Sequence, residues 1–120
     1  MSAAAKSVYY FGIYLALLGL VLLIAPNLLL GIVMLPATNE VWVRVVGMLL
    51  LALSVYYTVF GKNDNALFYK LTVYIRSTII IFFSVFALAG FVKPVIILFA
   101  VVDLLGALYT YSLLKKEGRW

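Results

Sequence analysis

Asp103 stands near the middle of the last long apolar stretch of the chain, Pro94 to Leu114, and Arg44 and Arg76 stand inside two other apolar stretches. A charge at the centre of a membrane helix costs about 2.5 to 3.5 kcal/mol, so such residues face a bundle interior or mark a functional site. At 1.5 Å of rise per helical residue, Asp103 falls between the two arginines in height, each about 8 Å away along the axis. This spacing predicts that Arg44, Arg76 and Asp103 form one intramembrane charge cluster. Such a cluster can do three things: fix helix register as an ion pair, hold an anion or lipid phosphate on guanidinium N–H groups, or exchange a proton at the carboxylate. Two arginines against one aspartate leave one positive charge to be neutralised by a ligand or partner chain, unless Arg44 pairs with Glu40 one turn earlier.

Other chemistry is poorly supplied. With no His and no Cys among 120 residues, the chain offers no thiolate, no disulfide, no imidazole for haem and almost no route to a zinc site. The four acids, Glu40, Asp64, Asp103 and Glu117, are scattered, and no nucleophile lies at a recognisable spacing from a base. No catalysis, cofactor or metal is expected. Nine Lys and Arg give a net charge of +5, which reads as basic residues gathered at helix ends rather than as a nucleic-acid surface.

The elements that must position the cluster follow from composition. At 68% hydrophobic and 11% charged, the chain lacks the polar surface of a soluble globule, and each membrane crossing needs about 20 apolar residues. Four such helices are predicted, at about 8–25, 41–60, 66–91 and 94–114, and no connecting segment is long enough to fold as a soluble domain. The expected fold is therefore all-α: a single transmembrane domain, an antiparallel bundle of four transmembrane helices. Pro26 and Asn27 end the first helix, and the apolar segment at about 28–35, too short to span, is expected to lie in the interface.

Helical spacing then assigns faces. Gly12, Ala16 and Gly19 form a small-residue stripe suited to close helix approach. Arg44, Gly47, Leu51, Ser54 and Thr58 share one face of the second helix, and Gly106 and Thr110 share the Asp103 face of the last. Ser54, Thr58 and Thr110 are thus a supporting polar face for the cluster. Lys6, Lys62, Lys70, Lys115, Lys116 and Arg119 fall on one side of the membrane, against Lys93 and Arg44 on the other, which predicts cytoplasmic termini. No A-x-A cleavage site follows Lys6, so the first apolar run reads as a retained helix.

The stretches Arg44-Val45-Val46-Gly47 and Val101-Val102-Asp103-Leu104-Leu105-Gly106-Ala107-Leu108-Tyr109-Thr110 belong to a chain that resembles uncharacterised small bacterial membrane proteins with four helices. That likeness covers about Trp42 to Leu114, and in outline, by size and helix count, the chain is also similar to the broad DoxX-like group, whose members include accessory subunits of membrane oxidoreductases. The resemblance implies a bacterial inner (plasma) membrane and an accessory role, and carries over no site residues. Two functions are therefore expected. The first is a structural or accessory subunit of a membrane complex. The second is a homo-oligomeric transporter, channel or lipid- or anion-binding protein that uses the Arg/Asp cluster. Membrane lipids are expected partners in either case, together with further copies of the chain or another membrane protein.

Overall fold

A computed structural model describes residues 1–120, and the chain is helical along nearly its whole length. Four helices are long and apolar enough to cross a membrane: α1 (Ala3–Ile24), α3 (Val41–Lys62), α4 (Ala66–Leu88) and α5 (Ile97–Lys116), with a short α2 (Pro26–Ile32) between the first two. A helix of 22 residues such as α1 measures about 33 Å, enough to cross about 30 Å of hydrocarbon. The chain is an integral membrane protein by this measure.

Local chemistry sets the boundaries. Ser2 caps α1 by accepting the Ala5 N–H at 3.0 Å, so the helix begins at Ala3, five residues before the apolar run, with alanines as its first turn. Pro26, which has no N–H to satisfy, opens α2. Asn65 caps α4 through the Phe68 N–H at 2.9 Å. The end of α4 falls at Leu88 rather than Phe91 because Gly90 adopts φ +79°, a conformation that only glycine takes cheaply. Past α5, Gly118 at φ +67° allows the Arg119 N–H to donate to the Leu114 carbonyl at 2.9 Å. This is a Schellman closure, and it turns the C-terminal residues back onto the bundle.

The helices form two antiparallel hairpins, α1 with α3 and α4 with α5, joined mainly through α1 and α5. The first hairpin is tight along its whole length. A Cβ placed on Gly47 would lie 2.6 Å from the Leu23 nitrogen and 2.7 Å from the Gly19 carbonyl oxygen, so backbone meets backbone there. Gly12 and Gly19 of the small-residue stripe make the close helix approach expected of them, and the helix they meet is α3.

The second hairpin meets the first only near the end that carries both chain termini. The core there joins Ala4, Ala5, Val8 and Leu15 of α1 to Tyr57, Tyr69, Val73, Ala107 and Leu114. Beyond Arg76, α4 buries no residue, and α5 buries only Ala100 before Ala107. Polar contacts close the terminal end further. Arg119 donates to Asp64 at 2.9 Å and to Ser2 at 3.2 Å, Glu117 accepts the Ala4 N–H at 3.1 Å, and the Tyr69 hydroxyl donates to the Phe60 carbonyl at 2.6 Å. The bundle is thus closed at its terminal end and splayed at its distal end.

Candidate functional site

Arg76 sits ten residues into α4, about 15 Å from its start, and its guanidinium turns back toward that start to reach Thr72. It is 3% exposed. Its Nε donates to the Thr72 carbonyl at 3.2 Å, and its Nη2 donates to the hydroxyls of Thr72 at 3.1 Å and Thr110 at 3.0 Å. The Thr110 hydroxyl is in turn 2.8 Å from that of Ser7, which links α4 and α5 to α1. The Phe11 ring lies 4.6 Å from the guanidinium carbon and the Tyr57 ring 5.9 Å, so α1 and α3 supply π faces to the charge. One nitrogen is left over: Nη1 is buried without an acceptor.

Asp103 does not supply that acceptor. The two ion pairs in the chain are Arg119 with Asp64 and Arg119 with Glu117, so the expected contact between Asp103 and an arginine is not formed. The reason is direction. Nη1 lies beside Gly106, three residues along α5 from Asp103, which is about 4.5 Å of rise and roughly 60° of rotation. The threonines hold the guanidinium at the Gly106 face, while Asp103 looks the other way. Its carboxylate makes no hydrogen bond within the chain and opens into a cavity of about 270 Å³.

That cavity is the space left where the hairpins part. Leu15, Leu18 and Leu22 of α1, Val46 and Leu50 of α3, Phe83 of α4, Phe99 of α5 and Ile96 just before it form its walls, and Leu29, Leu30 and Leu35 cover it. Asp103 is the one charged residue among the fourteen that line it, and Tyr14 brings the one phenol. The apolar segment after α1, expected to lie in the interface, roofs this cleft. A cavity of this kind suits an apolar body with one polar end, the usual composition of a small-molecule site.

Arg44 belongs elsewhere. Its Nη1 donates to the carbonyls of Leu23 at 2.5 Å and Ile24 at 3.2 Å, so it serves the C-terminal end of α1, where carbonyls lack helical partners and the helix dipole favours a cation. It stands exposed at the distal surface, apart from Arg76 and Asp103, and it forms no ion pair with Glu40. The positive excess expected from two arginines is therefore met by a helix end. Ser54 and Thr58 are also on the inward face, but they bond to α3 itself, Ser54 to the Leu51 carbonyl at 2.6 Å and Thr58 to that of Ser54 at 2.8 Å, against α1. Of the expected polar face, only Thr110 touches the charge site.

Ser7, Phe11, Tyr14 and Thr72 join the site without being among the residues expected there. Thr72 has a readable signal, one turn before Arg76 on α4. The α1 residues have none, since nothing in their order says which side of α1 meets α5.

No family model, curated protein or solved structure matches the chain.

Proposed function

We propose that this chain is a small integral membrane protein that binds an amphipathic molecule from the lipid phase in the distal cleft, its polar end donating to Asp103. The carrying observation is that carboxylate: half-buried, unpaired and the one charge in an otherwise apolar cavity. An acid kept in such surroundings without a partner costs free energy that a structural residue has no need to spend. The cavity charge is negative, so it favours a hydroxyl, amide or ammonium head over the anion that three clustered charges would have suggested. Aromatic faces from Phe83 and Phe99 suit a cationic head as well.

Both termini lie in the cytoplasm in this reading, with the cleft opening toward the opposite leaflet, as the loop charges favour. A bacterial plasma membrane rests on the likeness in size and helix count alone.

The test is native mass spectrometry of the protein gently extracted from its own membrane, beside its Asp103→Asn variant, with far-UV circular dichroism as the folding control. A lipophilic adduct at one per chain, lost in the variant while helicity is kept, is the expected result. The reading is overturned if no adduct is lost in the variant, whatever other lipid both proteins retain. A foreign chain in fixed ratio, lost in the variant, would replace it with the accessory-subunit role.

A further inference from the structure

A second recess lies on the other side of α5. Between α1 and α5, at the terminal end, runs an open groove of about 550 Å³ whose lining includes Lys6, Ser7, Phe11, Val102, Gly106 and Tyr109. Its rim and floor differ in charge chemistry. Lys6 is exposed at the rim. At the floor, a Cβ on Gly106 would lie 3.0 Å from Arg76 Nη1 and 3.1 Å from the Phe11 ring. Arg76 itself does not line the groove: its unsatisfied Nη1 lies just behind the Gly106 backbone and the Phe11 ring. Lys6 and Phe11 are five residues apart on α1, about 7.5 Å along the axis. The recess thus offers a cation at the membrane surface, a buried unpaired N–H donor beneath it, and apolar surface beyond.

We infer that this groove holds an anionic glycerophospholipid of the leaflet facing the chain termini. The phosphate rests against Lys6, as anionic headgroups do on basic residues at the membrane surface. An ester carbonyl, which lies a few ångströms below the phosphate in any glycerolipid, accepts from Arg76 Nη1 once the Phe11 ring swings aside. One acyl chain follows Val102 toward the bilayer centre. The carbonyl gives the buried nitrogen the acceptor that the chain itself withholds. Asp103 does not line this groove, so it does not repel the headgroup there, and the inference stands apart from the distal cleft.

The experiment uses the purified full chain in phosphatidylcholine nanodiscs containing one-tenth phosphatidylglycerol, with retained lipid read by native mass spectrometry. One phosphatidylglycerol per chain is expected, and Lys6→Gln should reduce its preference over phosphatidylcholine about five-fold. The ester contact is tested by changing the lipid rather than the protein. Diether phosphatidylglycerol, which has no carbonyl, should be held about ten-fold more weakly than the diester by the wild type, and equally well by Arg76→Met. Asp103→Asn should leave both preferences unchanged. Equal retention of diether and diester by the wild type, or an unchanged headgroup preference in Lys6→Gln, overturns the inference. So does loss of the lipid in Asp103→Asn, which would place it in the distal cleft. Displacement by inorganic phosphate at millimolar concentration would also overturn it, because the acyl chain would then contribute nothing.

Discussion

The two ends of the bundle are built from the same kinds of residue and treat their polar groups in opposite ways. At the terminal end, Arg119, Asp64, Glu117, Ser2 and the Tyr69 hydroxyl all find partners, and three helices meet around Val8, Tyr69 and Leu114. At the distal end the hairpins separate, Asp103 faces a cavity, and the one strong contact, Arg44 on the α1 carbonyls, lies within the first hairpin. Polar groups with partners mark the parts that hold the fold. The two left over, Asp103 in the distal cleft and Arg76 Nη1 behind the floor of the terminal groove, mark the places left for something else.

The strongest way to break this comparison is to strike the first hairpin, which spans both ends. In Gly47→Val the new side chain meets backbone atoms of Gly19 and Leu23, which cannot rotate away, so α1 and α3 must move apart. The expected loss is about 3 kcal/mol or more, at the upper end of what overpacking costs, seen as a lowered midpoint of thermal unfolding in detergent by circular dichroism. Gly31 in α2 is the control. Nothing lies within 4 Å of a Cβ there, so Gly31→Ala should be neutral or gain up to about 1 kcal/mol from helix propensity. Equal damage from both would mean that glycine packing does not hold the hairpin.

A smaller effect sharpens the boundary between the ends. Thr110→Val keeps the shape of a fully buried residue and removes the oxygen that both Arg76 and Ser7 use. A guanidinium N–H left without its acceptor should cost about 1.5 to 3 kcal/mol, measured by the same unfolding midpoint. Asp103→Asn, one charge away but unpartnered, should leave that midpoint unchanged or raise it, since the amide costs less to bury. If Asp103→Asn proves the more damaging of the two, the carboxylate is structural and the cleft is not a binding site.

The sequence is legible in one dimension and silent in the others. Apolar runs set the number and approximate length of the four spanning helices, because bilayer thickness imposes it. Depth puts Arg76 and Asp103 within about 8 Å of each other along the axis, and Arg76 does reach α5 close by, beside Gly106. Azimuth is the missing quantity: the 100° step along α5 sends Gly106 to Arg76 and Asp103 to the cleft, and height alone cannot separate those outcomes. Arg44 is misplaced for another reason. Its partners are the last carbonyls of α1, and backbone acceptors have no letter in a sequence. The C-terminal tail reads as merely basic, because its role depends on Gly118 turning Arg119 back toward Asp64, a contact across 55 residues.

That tail gives the smallest effect and the closest test of whether the two ends are independent. The hydrogen bond that Arg119 donates to the Asp64 carboxylate holds its guanidinium above its ordinary range, so the folded form binds this proton more tightly than the unfolded one. A raised pKa contributes stability that is complete below the unfolded value and is lost only as pH climbs through the folded one, which here lies beyond any working buffer. Arg119→Gln should therefore cost less than about 1 kcal/mol, because the Asp64 side chain is 55% exposed and solvent screens the pair, and the difference from wild type should be the same at pH 6 and pH 9. Amide hydrogen exchange locates the damage. Faster exchange is expected at residues 3 to 7, where Ser2 and Glu117 hold the start of α1, with no change around Asp103. Faster exchange at both places would show that the cleft is propped open by the terminal clamp rather than by the parting of the hairpins, and the two ends would then be one device.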